Sequence, residues 1–330
     1  MELFLDRSTG RLRALWRLAI QYWAFDKVFV PLLFNLLGVA WLFVGSGGRT
    51  ASGGLDTSVV PDSPALPLLS GAAGLLAATL TLWLAGRFLD RRPFSAFGFG
   101  LGTGWWLDLL FGMVLGALLM TVVFLVELGL GWVEVTGSFE TYGSGVPFVI
   151  SMLFPAATYL CVGLSEEMVS RGYQLKNVAE GLNYPAVGPR GAILLAWVLS
   201  SVFFGALHAD NPNATPLSTL NIVLAGLMLG LGYVLSGELA IPIGLHVTWN
   251  YFQGVVYGFP VSGFGSFGTT LLATEQGGPE LWTGGSFGPE GGLLIPAVML
   301  LGMSLIVLWT RLRTGKVSLH IPVAEGPQHG

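Results

Sequence analysis

Charge is what this sequence has least of. Only 10% of its 330 residues are Asp, Glu, Lys or Arg, against about a quarter in an ordinary water-soluble domain. Uncharged runs of the length found here suit a hydrocarbon solvent and not a water-facing surface. The formal net charge of -4 excludes the basic surface that a nucleic-acid partner requires. A single cysteine, Cys161, excludes an intrachain disulfide. It lies in an apolar run and reads as a small hydrophobe. No internal repeat and no soluble domain stand out. The N-terminal stretch lacks a compact apolar core followed by a small-residue cleavage site, so it does not read as a cleavable signal peptide.

What the chain has in excess is apolar sequence, 53% of all residues. About 20 apolar residues are needed to cross a bilayer as a helix. Eight segments qualify, near 28–46, 66–86, 106–128, 147–168, 191–208, 217–236, 239–258 and 291–311. The expected fold is an all-α polytopic membrane protein with about eight transmembrane helices and the lipid bilayer as its surroundings. The expected organisation is a cytoplasmic segment 1–27, one membrane domain 28–312 and a cytoplasmic tail 313–330. In the first segment Arg11, Arg13 and Arg17 alternate with Leu12, Leu15, Trp16, Leu18 and Ile20. That pattern suits either an amphipathic helix on the membrane face or the charged flank of the first span.

The loops set an orientation, because Lys and Arg collect on the cytoplasmic side. Arg7, Arg11, Arg13, Arg17 and Lys27 precede the first span, and Arg87, Arg91 and Arg92 follow the second. Arg171, Lys176 and Arg190 lie between the fourth and fifth, and Arg311, Arg313 and Lys316 follow the eighth. Of the 15 Lys and Arg residues, only Arg49 falls on the other side. Both termini are therefore expected in the cytoplasm. Two outer loops are distinctive, a polar one at 47–64 and a Gly- and Ser-rich one at 258–290 with Trp282. Loops of that composition are either mobile or cap a cavity.

A charge within the membrane costs at least ~2.5–3.5 kcal/mol and so needs a reason. Asp108 and Glu127, near the ends of the third span, read as interfacial charges without a role. The others fall into three groups. In Ser165-Glu166-Glu167-Met168-Val169-Ser170-Arg171, Glu167 and Arg171 are four apart and can pair. Glu166 is rotated about 100° away toward other surroundings. In Phe204-Gly205-Ala206-Leu207-His208, the ring of Phe204 is placed to pack on the imidazole. In His246-Val247-Thr248-Trp249-Asn250, His246 and Asn250 share one helix face. Each group alone also suits a structural polar contact. Together they suit hydrolysis, since a carboxylate and a neutral imidazole activate water, and an imidazole and an amide stabilise an oxyanion. Glu166, His208 and His246 would also make a zinc ligand set, and spacing does not choose between the two. Intramembrane Glu and His also serve proton-coupled transporters.

The order Glu166-Glu167-x-x-x-Arg171, Phe204-x-x-x-His208, His246-x-x-x-Asn250 resembles the CPBP family of intramembrane proteases, which includes the CAAX prenyl proteases of the Rce type and many bacterial proteins. The resemblance is best over 85–260, where Arg92-Pro93-Phe94-Ser95-Ala96-Phe97-Gly98 and Pro260-Val261-Ser262-Gly263 also match. It implies an eight-helix endopeptidase acting near the cytoplasmic face. Glu166 and His208 would activate water, His246 and Asn250 would hold the oxyanion, and Glu167 and Arg171 would maintain the arrangement. Phe204 belongs to the same site. The substrate would be a peptide or protein, with or without a lipid, and the membrane a bacterial cytoplasmic one. The family admits a metal-free mechanism, expected here, and a zinc mechanism. Some relatives are linked to bacteriocin self-immunity, which leaves a non-enzymatic immunity-type membrane protein as a further alternative.

Overall fold

The computed structural model describes residues 4–6, 10–45, 65–143 and 145–327. The expected outer loop 47–64, with Arg49, and the cations and imidazoles at Arg7 and His329 lie outside the described residues. A short antiparallel pair, β1 (Leu5–Asp6) and β2 (Arg11–Leu12), leads into the first helix. That helix, α1 (Ala14–Trp23), continues through a π-helical stretch into α2 (Val30–Gly45). The chain then forms α3 (Ala65–Leu84), α4 (Thr103–Gly129) and β3 (Val133–Glu140). Next come α5 (Phe148–Glu167), a π-helical stretch Met168–Leu175, and α6 (Lys176–Leu182). After α7 (Gly188–Leu207), α8 (Pro216–Ser236) and α9 (Ala240–Tyr251) come β4 (Thr270–Gln276), the short α10 (Glu280–Thr283) and α11 (Leu294–Thr314).

Among the described residues seven helices are long and apolar enough to cross a membrane: Ala14–Leu42, Ala65–Asp90, Thr103–Gly129, Phe148–Leu182, Gly188–Leu207, Pro216–Ser236 and Leu294–Thr314. The protein is an integral membrane protein with an all-α membrane domain. The two faces of α4 show why. Leu107, Leu110, Val114, Leu118 and Leu125 are exposed, whereas Trp105, Leu115, Leu119, Met120 and Val123 are buried. Both stripes are apolar, so the helix is amphipathic in neither sense: one side meets protein and the other meets lipid.

The expected span at 239–258 is the helix that differs most. It comprises 12 α-helical residues followed by 5 in a π-helical turn, Phe252–Val256, so it is shorter than its neighbours. It is also the most enclosed, with ten of its 12 α-helical residues buried. α4 covers it closely. A β-carbon at Gly112 or Gly116 would collide with the Ile241 or Leu245 carbonyl, and one at Gly244 with the Leu109 carbonyl. This small-xxx-small contact lets the two backbones touch. On the next side Gly163 of α5 lies against Val247.

Two readings of ionisable residues are corrected by burial. Asp108 is not an interfacial charge in water: it is 8% exposed and accepts from Trp309 Nε1 at 2.8 Å, with Arg313 Nε at 3.3 Å. Glu127 is fully buried and accepts from Gln276 Nε2 at 2.9 Å. Gln276 is supplied by a β-ribbon that the sequence pattern did not announce, in which β3 pairs antiparallel with β4.

The end of the bundle opposite this ribbon carries a buried ionic cluster. Glu180 accepts from Arg11, Arg17 and Arg92, and Arg17 also pairs with Asp90. All three arginines are less than a tenth exposed. Arg17 of α1 is thus turned into the protein, where it ties the first helix to Asp90, beyond the end of α3, and to Glu180 of α6.

Candidate active site

α5 supplies the carboxylates. Its helical turns place Glu167 inward, fully buried, with Arg171 one turn on and itself 1% exposed. Arg171 Nη1 donates to Glu167 Oε1 at 2.8 Å, and Nη2 donates to the Gly226 carbonyl of α8 at 3.2 Å. The guanidinium also lies 4.4 Å from the centroid of the Phe204 ring, a cation–π contact. Glu166, on the adjacent helix face, keeps 35% of its side chain exposed.

α9 brings His246 between the two glutamates. His246 Nδ1 is 2.8 Å from Glu167 Oε1, and Nε2 is 3.9 Å from Glu166 Oε2. A carboxylate accepts, so the proton of that bond belongs to Nδ1 and Nε2 is left to face the interior. Asn250 is one turn further along the same face and 7% exposed. Among the described residues its amide has no hydrogen-bond partner, and Glu166 has none either.

α7 supplies the third group. His208 caps its far end, and Phe204 is one turn before it. Their rings are 4.7 Å apart, and Phe204 also meets His246 edge-on at 6.4 Å. His208 Nδ1 is 2.8 Å from the Phe204 carbonyl. A carbonyl only accepts, so Nδ1 carries the proton and Nε2 of the neutral ring carries the lone pair. Phe204 therefore touches both imidazoles and the guanidinium. No hydrogen bond or ion pair joins His208 to either glutamate.

His208, His246 and Asn250 face one cavity of about 30 Å3, room for a water. Its other walls are Phe204, Ile222, Ala225, Met228, Leu229, Leu245, Trp249, Ser262 and Glu290. Sequence reasoning missed most of these walls. The apolar ones look like any span residue. Trp249 stands between two motif residues, and Ser262 lies in the matching Pro260–Gly263 stretch, but neither position has a side chain that signals a cavity. Glu290 is an acid in a loop, ordinarily a solvated residue, and is 5% exposed here. The Gly-rich segment caps the site: Asn211 Nδ2 donates to the Ser262 carbonyl at 2.9 Å, and Asn221 Nδ2 to those of Glu290 and Gly292 at 2.8 and 2.9 Å.

The zinc set Glu166, His208 and His246 is not gathered. Among the described residues no three His, Cys, Asp or Glu side chains are grouped to hold a metal ion.

Residues 148–252 match the family described as type II CAAX prenyl endopeptidase, Rce1-like. The matched stretch runs from the first residue of α5 to one residue past α9, so it holds Glu166, Glu167, Arg171, Phe204, His208, His246 and Asn250 together. No curated protein and no solved structure matches the chain.

Proposed function

We propose that the protein is an intramembrane endopeptidase that hydrolyses a peptide bond with a glutamate-activated water and without metal. The observation that carries this reading is the placement of His246 between Glu166 and Glu167, with Asn250 and His208 facing the same small cavity. Glu166 is taken as the base because it makes no hydrogen bond among the described residues and keeps 35% of its side chain exposed, whereas Glu167 is fully buried and its Oε1 is held by both Arg171 and His246. It accepts the proton of the attacking water, and His208 Nε2 is the second acceptor. The water oxygen bonds to the scissile carbonyl carbon. The resulting oxyanion receives hydrogen bonds from the Asn250 amide and from Nε2–H of His246, which between the two carboxylates carries a proton on each nitrogen, a preorganised pair of donors in a site of low dielectric. Collapse breaks the C–N bond, and the proton taken from water passes to the leaving amine. Glu167 and Arg171 hold the imidazole of His246 and so maintain the oxyanion site.

The excess of Lys and Arg at one end places that end, and both termini, in the cytoplasm. The membrane is a bacterial cytoplasmic one. The substrate is a membrane-borne peptide or protein, and the matched family's name makes a prenylated C-terminal peptide the first lipidated substrate to try beside unmodified ones.

The test is cleavage of a peptide library, lipidated and not, by purified wild type and Glu166→Gln, each with and without a chelator. A general base of this kind contributes roughly 10²–10⁴-fold, so Glu166→Gln is expected to lose cleavage by that factor while inserting and melting like wild type. Retained activity in the variant overturns the assignment. Activity abolished by the chelator overturns the metal-free mechanism.

A further inference from the structure

One more carboxylate borders the cavity. Glu290 lies in the short turn Pro289–Gly291, and its two oxygens accept four hydrogen bonds. Oε1 takes Trp249 Nε1 at 3.3 Å. Oε2 takes the Ser262 backbone N–H at 2.7 Å, Ser262 Oγ at 2.9 Å and Gln253 Nε2 at 3.3 Å. A carboxylate has about four lone-pair positions. Oε2 is therefore fully taken by neutral donors, and Oε1 is tied to the indole of Trp249. Two of the donating residues, Trp249 and Ser262, are cavity walls beside His208, His246 and Asn250. Ser262 also has φ of 48°, a left-handed backbone that a residue with a β-carbon keeps only under constraint.

We propose that Glu290 is a positioning residue for the reaction, and that it aims the Asn250 amide. The inference rests on the proposed role of Asn250 at the oxyanion. Trp249 and Asn250 are consecutive on α9, so a fixed indole fixes the rotation of the helix and with it the direction of the next side chain. Asn250 has no hydrogen bond to set that direction for itself. The same carboxylate holds the strained turn at Ser262, so one side chain couples the Gly-rich cap to the helix bearing the oxyanion donors.

Glu290→Gln in the full chain tests this. The glutamine keeps the volume but turns an NH₂ toward donors, so at least one of the four bonds is lost. A small misplacement of a reacting group costs up to about 100-fold. The expected result is a kcat lower by about 10- to 100-fold with KM unchanged. Asn250→Ala is expected to cost nothing further in the Glu290→Gln background, because both act through one group. Hydrogen exchange reads the positioning without substrate: amides of 258–263 and 284–292 are expected to exchange faster in Glu290→Gln, with other helices as in wild type. Should Glu290→Gln not fold, Ser262→Ala removes only the Oγ donor and Trp249→Phe removes the Nε1 donor with part of the ring; both are expected to show the same kcat loss, smaller, with the same non-additivity. Wild-type kcat in any of these variants, losses that multiply with Asn250→Ala, or unchanged exchange overturns the proposal. If instead the wild type cleaves no peptide, the endopeptidase reading fails, and the exchange result still decides whether Glu290 holds the cap on α9.

Discussion

Glu180 and Glu167 are both carboxylates removed from water beside buried guanidiniums, yet their surroundings differ in one respect. Around Glu180 the cations outnumber the acids: Arg11, Arg17 and Arg92 converge on it, with Asp90 as the second acid. Around Glu167 the acids outnumber the cation: Arg171 is the one guanidinium, His246 completes the shell, and Glu166 remains without a hydrogen bond. In the first arrangement both oxygens of Glu180 are taken by arginines that tie three segments of chain together, and of the carboxylate oxygens only Asp90 Oδ2 is left without a partner among the described residues. The second leaves a carboxylate, an amide and an imidazole nitrogen with capacity to spare, all within or beside a water-sized cavity. Of these Asn250 is buried, at 7% exposed, and buried amides are normally paired, so its unspent capacity marks a place where something else binds.

The comparison can be broken at its stronger end. Glu180→Gln leaves three buried guanidiniums short of an acceptor, and breaking a buried ion pair costs ~3–5 kcal/mol. The expected outcome is a large fall in thermal stability in detergent. The cleavage rate per folded molecule should stay at the wild-type value, since no atom of the cavity has moved. A rate that falls with stability would mean that the two clusters are coupled.

Arg171→Met sharpens the other half. It removes one partner of a pair buried on both sides, with an expected destabilisation of ~3 kcal/mol, somewhat less than at Glu180 because His246 remains bonded to Glu167. Here activity should fall as well, because His246 loses its fixed partner's orientation. Thermal melting and single-turnover cleavage on the same preparation separate the two effects. Stability lost without activity would reduce Arg171 to the structural role of Arg17.

The smallest effect is expected at the tail that crosses the basic end. His320 donates its backbone N–H to the Val234 carbonyl at 2.8 Å, and Lys176 Nζ donates to the Pro322 carbonyl at 3.4 Å. Burial, with a smaller contribution from Lys176, holds the His320 imidazole below its ordinary value of 6.5, opposed by Glu325. The docked tail thus binds a proton less readily than the free tail. Its docking is fully present above pH 6.5 and weakens as pH falls through the lowered value. Limited proteolysis after residue 314 should accelerate at pH 5.5 relative to pH 7.5 and should lose that dependence in His320→Gln. Equal rates at both pH values would remove His320 from the docking.

Much of the site was legible because it is built at helical spacing. Glu167 with Arg171, Phe204 with His208 and His246 with Asn250 are each four apart, and a helix puts such pairs on one face whatever surrounds it. The cavity's remaining walls were not legible for the same reason in reverse. Glu290 is 41 residues from Trp249 and 28 from Ser262, and no local period joins them. Asp108 and Glu127 were misread because a charge near the end of a hydrophobic run looks alike whether it faces headgroups or Trp309, Arg313 and Gln276.

Hydropathy is a local quantity, and it determined by itself that this chain lives in a membrane, that it crosses as helices and roughly where they begin, except for the first, which starts at Ala14 and not near residue 28. Residue spacing determined which polar side chains share a face. Only the tertiary structure decided that the helix starting at Ala240 is the enclosed centre of the bundle and not another lipid-facing span. Lipid and protein interior are equally apolar, so sequence does not distinguish a helix wrapped in one from a helix wrapped in the other. It also decided that His246 sits between the two glutamates and that the Gly-rich segment is fastened over Asn250 by Glu290, since those contacts exist only once separate helices have packed.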